Sequence, residues 1–367
     1  EKYSTLKQWF VDNKCGIHPY IEIKTSPLGG VGVFATKPLI GNTPLLSVPK
    51  EYTLCPTTCG ISNLLEEYEL TGMIGLTVAF MFEKNLGKKS PWWGYLNTVN
   101  TELSTESLPR FWTKEQQEWL KGTEIVTMGG LDEDEIKQTF STFILPFFQQ
   151  NFSLLGYESI EVIPTYEEYC KSLVAVSSRA FEVDAYRGLA LVPGACLFNH
   201  SDSEQVHFET NEDVCDLCGA DGCEHDLERL RLQEGELSEK EDEEEVEGEL
   251  TEPNTDDEDS EEDVSENEWE DDEDMVDDED SEADDFDSEN DDDDDDDEEE
   301  KDACDIVVSV PRISTGSEIF NTYGEENNGI LLSRYGFALI DNQHESVSLV
   351  EQVIDFVEEN NLQSRLK

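Results

Sequence analysis

Asn321-Thr322-Tyr323-Gly324-Glu325-Glu326-Asn327-Asn328, continued by Leu331-Leu332-Ser333-Arg334-Tyr335-Gly336-Phe337, is the stretch on which the reading of this chain turns. Two tyrosines bracket an Asn-rich turn and a helical turn over Gly329–Arg334. Taken alone, both tyrosines read equally well as core aromatics with a satisfied hydroxyl. Upstream, Leu197-Phe198-Asn199-His200-Ser201-Asp202 closes an apolar run over Ala190–Phe198 that reads as a strand. An isolated Asn-His pair at a strand end serves a turn as readily as a ligand site. Further upstream, Gly30-Val31-Gly32 runs into the strand-like Val33-Phe34-Ala35. Glycine lets a backbone approach a ligand closely, but a lone Gly-x-Gly is also an ordinary tight turn. It is not a dinucleotide fingerprint, because no third Gly and helix follow in register.

Working outward, the first part of the chain, to about residue 60, reads as short strands joined by Gly and Pro turns: Ile21–Lys24, Gly29–Ala35 and Leu45–Pro49. A helix precedes them, with Leu6, Trp9, Phe10 and Val11 as its apolar side and Ser4 or Thr5 as its cap. Helical spacing then dominates, in Ile61–Leu70, Ile74–Phe82, Lys114–Leu120, Asp132–Asn151 and Tyr166–Phe181, with an aromatic link at Trp92–Leu96. Strands return at Ala190–Phe198, Val206–Glu209, Asp305–Val310 and Ser317–Phe320. A last amphipathic helix is expected from Ser348, over Val350–Asn361. The fold class is α+β. The expected segments are 1–60, a 61–190 helical insert, 191–232, an acidic loop over 233–302, a strand-bearing 303–342, and 343–367 as the start of a C-terminal helical domain.

The chain has 367 residues and a formal net charge of −64. At roughly 100–200 residues per domain, that length admits two or three domains. Glu241 to Glu300 holds 41 of the 88 acidic residues and no Lys or Arg. Such a block cannot bury enough apolar surface to offset its ordering entropy, so it is expected to be disordered. A long loop costs little extra closure entropy per doubling of length and can interrupt a domain without destroying it. The remaining acidity argues against nucleic acid as the main partner and suits basic proteins. No run approaches the ~18–20 apolar residues of a membrane span. The opening Glu1-Lys2-Tyr3-Ser4 is not a signal peptide, and nine scattered cysteines suit a reducing compartment, so a cytoplasmic or nuclear location is expected.

The order of these features carries more than any one of them. A Gly-x-Gly strand entry, a helical insert, Asn-His-Ser at a strand end, then Tyr-Gly-x-x-x-Asn and Tyr-Gly-Phe resembles the SET-domain lysine methyltransferases. The insert and the Tyr-Gly-Phe ending look most like the branch containing Rubisco large-subunit methyltransferase and fungal ribosomal-protein lysine methyltransferases. The resemblance covers about residues 1–340 apart from the acidic loop. It implies small β-sheets around a helical insert, S-adenosyl-L-methionine as methyl donor and a protein lysine as acceptor. It implies that Gly30, Val31 and Gly32 line the cofactor, that Asn199 and His200 hold its amino-acid and adenine parts, and that Phe337 covers the adenine. Arg179 matches an arginine at the boundary of cofactor and lysine, Tyr323 the catalytic tyrosine, and Tyr335 a wall of the lysine channel. Cys196 stands where related sequences often carry an Asp, which removes the usual partner of Arg179.

The residue types suit methyl transfer. An in-line displacement at a sulfonium methyl needs alignment of amine, methyl and sulfur. The amine must first lose a proton whose reference pKa is ~10.4, and an aromatic low-dielectric channel disfavours its charged form. The expected partner is a basic protein: a ribosomal protein, an elongation factor, cytochrome c or a histone. Two alternatives stand beside this reading. One is a non-catalytic SET-like module whose acidic loop engages basic proteins; a decayed site would have lost one of Tyr323, Asn199 and His200. The other is transfer to histidine, which differs mainly in the acceptor pocket.

A separate cluster, Cys215-x2-Cys218-x4-Cys223-x-His225, sets three thiols and one imidazole within eleven residues. That is the ligand set of one structural zinc, with no position left for catalysis. The competing reading is a run of exposed thiols where the acidic loop begins.

Overall fold

The computed structural model describes residues 2–101, 105–229, 231, 302–349, 353, 354, 356 and 357. The acidic block lies outside them, as does most of the expected C-terminal helix, of which 353, 354, 356 and 357 are helical. The chain divides into two units: Glu1–His225 with Lys301–Lys367, and Asp226–Glu300. In the second, 226–229 and 231 are described and helical.

Among the described residues the first unit carries twelve short strands: β1 Gly16–Ile17, β2 Ile21–Thr25, β3 Val31–Ala35, β4 Leu39–Ile40, β5 Pro44–Pro49, β6 Ala180–Glu182, β7 Leu189–Leu191, β8 Asn199–His200, β9 Val206–Glu209, β10 Ala303–Val308, β11 Arg312–Ile313 and β12 Glu318–Asn321. Seven run in the order β1-β5-β10-β9-β12-β3-β2, and β8 adds to β12; β4 with β11 and β6 with β7 form two small ribbons. β12 is the hub. It pairs antiparallel with β3, setting Ile319 opposite Val33, and parallel with β8, setting Phe320 opposite Asn199 and Asn321 opposite His200. Three segments far apart in sequence thereby meet at one sheet position. Val33, Ile319, Val206, Ile306 and Val308 bury one side of this sheet. Burial alternates along β12, with Ile319 and Asn321 buried and Glu318 and Phe320 half-buried, whereas β3 and β10 are buried at nearly every position, as strands covered on both faces are.

The helical insert builds the adjoining layer. Helix Gly72–Leu86 buries nine successive residues from Gly75 to Glu83, so it is a core helix rather than a surface one. It packs on helix Tyr166–Ser177, which opens with a capping box: Glu168 N–H donates to Thr165 Oγ1 (3.3 Å), and Thr165 N–H donates back to Glu168 Oε2 (2.8 Å). The expected helix over Asp132–Asn151 is continuous from Asp134 but passes through a wide π-type turn at Phe140–Ile144. Pro146 follows at once, and its missing N–H loosens the regular ladder there.

Four local expectations change. Helix Lys2–Asp12 starts before Ser4 and Thr5, and Val11 is 67% exposed, so its buried side is Leu6, Trp9 and Phe10. Ala180–Glu182 is not the end of a helix but β6, paired with β7. The run Ala190–Phe198 is not one strand: β7 ends at Leu191 and a 3-10 turn covers Ala195–Leu197. Asp302 is not part of a free loop. Its backbone carbonyl accepts from Lys50 N–H (3.0 Å), and its carboxylate lies 2.8 Å from Lys50 Nζ. For Ala180–Glu182 strand pairing with β7 outweighs local periodicity, and for Asp302 contact with the distant Lys50 outweighs local composition.

Candidate active site

β12 runs directly into Tyr323, and the next helix, Asn328–Tyr335, returns Tyr335 and Phe337 to the same place. Asn327 caps that helix, its Oδ1 accepting from Ile330 N–H (2.9 Å), and Gly336 ends it in the left-handed region at φ 81°. Only a residue without Cβ adopts that geometry at low cost, and a Cβ there would also strike Ser107. The Tyr-Gly-Phe run is therefore a helix terminus that turns two rings to one side. Tyr323 and Tyr335 lie 4.7 Å apart between centroids, and His200 stacks at 5.2 Å from Tyr323 and 5.7 Å from Phe337.

A cleft of about 500 Å³ opens beside these rings. Of the expected site residues, Gly30, Val31, Arg179, Asn199, Tyr323, Tyr335 and Phe337 line it. Gly32 and His200 stand behind its wall. A Cβ at Gly32 would collide with the Glu318 carboxylate, which sits against β3 and accepts from Asn199 Nδ2 (2.6 Å) and Ser26 Oγ (2.9 Å). Asn199 Nδ2 also donates to the Val31 carbonyl (3.0 Å). Its amide is thus fixed in orientation, and among the described residues no hydrogen bond uses its Oδ1. His200 is buried, and its Nδ1 accepts from Tyr323 N–H (3.1 Å). Burial lowers its pKa, against the opposing pull of Asp202, so the neutral imidazole is favoured. The Asn-His pair thus splits its tasks: one side chain braces the cleft wall, the other holds the backbone of Tyr323.

A second cavity of about 240 Å³ is also lined by Tyr323 and Tyr335. It shares Ser178, Arg179, Cys196, Tyr323 and Tyr335 with the cleft and adds Phe181, Asn321 and Thr322. Tyr323 donates its hydroxyl to the Phe198 carbonyl (3.1 Å). Burial first, then nearby Cys196 and Tyr335, raise its pKa well above that of free tyrosine, so it is a neutral phenol. Arg179, at the end of helix Tyr166–Ser177, donates to the Ala175 carbonyl (3.0 Å) and Ser178 Oγ (2.8 Å). Both acceptors lie at the C-terminal end of that helix, where a guanidinium charge is favourable. Cys196 lies 3.6 Å from the buried Tyr95 hydroxyl.

The chain has sequence and structural relatives. It is 31% identical over 360 residues to ribosomal lysine N-methyltransferase 3 of Saccharomyces cerevisiae, a match spanning 93% of this chain and 61% of the yeast protein. It is 27% identical over 197 residues to mouse N-lysine methyltransferase SETD6, over 51% of this chain and 41% of the relative. The SET domain of LSMT bound to lysine and AdoHcy superposes with a TM-score of 0.56 at 15% identity, over 98% of this chain and 64% of that one. The chain has the SET-domain fold. No family model matches it. The chain spans less than two thirds of the length of each of these relatives.

The SET core also uses residues that pattern reading did not single out. Glu318 is one; its signal is an acid at the start of an apolar strand, which is weak. Tyr3 lines the cleft from the N-terminal helix, and Thr98, Val99 and Asn100 line it from the insert. No local motif marks them. Directly after β5, Lys50 is fully buried between Asp184 (3.2 Å) and Asp302, with Arg187 on Asp184 (2.6 Å). Cys215, Cys218, Cys223 and His225 come together, with their ligand atoms all within 4.8 Å of one another. The Cys15, Cys59 and Cys304 thiols are pushed up to about 12, chiefly by burial, and are inert.

Proposed function

We propose that this chain is an S-adenosyl-L-methionine-dependent protein-lysine N-methyltransferase acting on a basic protein, a ribosomal protein first of all. The observation that carries the proposal is the shared wall between the two cavities. One chamber is large enough for a nucleoside-sized cofactor; the other is small and lined by Phe181, Tyr323 and Tyr335. The cleft fits the cofactor chemically. Asn199 Oδ1 and backbone groups at Gly30 and Val31 would hold its amino-acid end, and Phe337 offers a ring face to the adenine. When bound, the cofactor supplies a methyl group activated on a sulfonium.

The protein's own residues then have definable tasks. The Arg179 guanidinium borders both cavities, and a fixed positive charge there disfavours an ammonium beside it. Aromatic walls desolvate the same amine, so both effects favour the neutral nucleophile. Tyr323 is a neutral phenol whose proton is committed to the Phe198 carbonyl, so it is not the base. Its free lone pairs can accept from the entering amine and align it for in-line attack. The proton leaves to solvent before the amine is enclosed. The aromatic walls also tolerate a methylated ammonium product through cation–π attraction.

Two observations favour a basic, ribosomal substrate: the acidic block, whose charge would steer basic partners, and the name of the yeast relative. Retention of Tyr323, Asn199 and His200 in one constellation weighs against a non-catalytic module. The test is incubation of the full chain with methyl-labelled S-adenosyl-L-methionine and a whole-cell extract containing ribosomal proteins, elongation factors and histones, followed by identification of the labelled residue. Base-stable label on a lysine of one ribosomal protein is the expected result. Label on an elongation factor or histone alone would overturn the substrate. No label, with no thermal stabilisation by cofactor at about millimolar concentration, would overturn the enzyme.

A further inference from the structure

The Cys/His cluster lies outside the active site, and nothing in methyl transfer calls for it. A tetrahedral zinc with Zn–S of about 2.3 Å and Zn–N of about 2.0–2.1 Å sets sulfur–nitrogen separations near 3.5 Å. Here His225 Nδ1 lies 3.6 Å from Cys223 Sγ and 3.8 Å from Cys215 Sγ. None of the four groups has to travel further than a side-chain adjustment to meet one ion. The backbone is already turned for it: Cys215 N–H donates to the Ala220 carbonyl (3.0 Å), and Gly219 N–H donates back to the Cys215 carbonyl (2.8 Å). None of the three cysteines is tied up in a disulfide, so the set is complete.

The knuckle is also seated against the core. Gly219 packs so closely on the Tyr186 ring that a Cβ would lie 2.6 Å from its Cδ1, and 3.3 Å from Arg187 Nη1. Arg187 belongs to the buried group with Asp184 and Lys50. Lys50 Nζ in turn donates to the Asn211 carbonyl (2.5 Å) and pairs with Asp302. Asn211 lies just after β9, and Asp302 just before β10, and these two strands are antiparallel neighbours with Glu209 opposite Asp305. The chain therefore leaves the SET sheet and rejoins it at one place, and Lys50 holds both strand ends.

We propose that Cys215, Cys218, Cys223 and His225 bind one structural zinc ion, and that the loaded knuckle, through Tyr186 and Arg187, locks the Lys50-centred clasp where the chain leaves and re-enters the sheet. Soft thiolates select zinc over the hard cations that the many carboxylates of this chain attract. With four protein ligands, the ion is saturated and has no role at the methyl-transfer centre.

The test uses the full chain, purified without chelator and dialysed against excess magnesium to clear carboxylate-bound metal. About one equivalent of zinc should remain. Cobalt substitution should add thiolate-to-metal charge-transfer absorption, which carboxylate sites lack. Cys218→Ser with Cys223→Ser should reduce retained zinc to below about a tenth of an equivalent, whereas His225→Cys, which keeps four ligands, should retain it. Hydrogen exchange reads the clasp: removal of zinc should speed exchange at 184–187, 211–219 and 302–304 by about tenfold or more and leave β3 and β12 unchanged. Zinc content near zero in folded protein, or metal retained by the double Ser variant, would overturn the site. Unchanged exchange at 184–187 and 302–304 on zinc removal would overturn the clasp.

Discussion

Tyr323→Phe deletes one oxygen atom from the wall between the two cavities. The ring and its stacking on Tyr335 and His200 survive, since those contacts use the face and not the hydroxyl. What goes is the donor to the Phe198 carbonyl, a bond of ordinary length at 3.1 Å. Its loss should cost about 1 kcal/mol of stability, or a Tm shift of about 2–4 °C for a unit of this size. The rate should suffer far more. One oriented polar group in a dry site is worth ~10²–10³ in rate, or ~3–4 kcal/mol. The two magnitudes separate the readings, because a loss of 1 kcal/mol does not unfold a stable domain at 25 °C. The assay is single-turnover methyl transfer from labelled cofactor, with cofactor affinity measured by calorimetry on the same preparation. Turnover should fall at least about a hundredfold while affinity stays within about threefold. Wild-type turnover in the variant would refute the assignment of Tyr323. A parallel collapse of cofactor binding would show that the hydroxyl builds the cleft and does not align the amine.

Gly32→Ala should cost about 1–3 kcal/mol and weaken cofactor binding, because the new methyl displaces Glu318 from Asn199; unchanged affinity would refute the bracing role of Glu318. Lys50→Met should destabilise the protein by roughly 3–5 kcal/mol in urea unfolding, since it strips a fully buried cation from Asp184, with the half-exposed Asp302 contributing little; a loss below about 1 kcal/mol would refute the clasp energetics. His200 has a folded pKa below its ordinary 6.5, so the unfolded chain takes up the proton first and stability falls as pH drops below that value. His200→Gln should flatten this part of the pH–stability curve, and identical slopes in the two proteins would refute the burial argument.

The sequence alone determined the class of fold, the order of its parts and most of the rings around the site. Those features are local: a period of two or 3.6, a glycine after a helix, a cap before one, or a spacing of thiols that close folding can gather. Tyr335-Gly336-Phe337 shows why this suffices, since Gly336 fixes the turn that places both rings. Charge was legible for the same reason, because 41 acids without a base repel whatever the fold. Tertiary structure alone decided the rest. Asn199-His200 looks like a turn in sequence and becomes a strand only because β12 lies beside it. Ala180–Glu182 continues a helical period and still forms β6, since the ladder to β7 supplies bonds that another turn of helix would have to forgo. Glu318 acquires meaning only opposite Gly32 and Asn199. Asp302 leaves the acidic run because its carbonyl accepts from Lys50 N–H and its carboxylate meets Lys50 Nζ at the start of β10. For Asn199-His200, Glu318 and Asp302 the deciding partner lies more than a hundred residues away, and even β6 depends on a strand beyond the reach of its own helical period; no local pattern encodes a contact whose free energy exists only once the strands have paired.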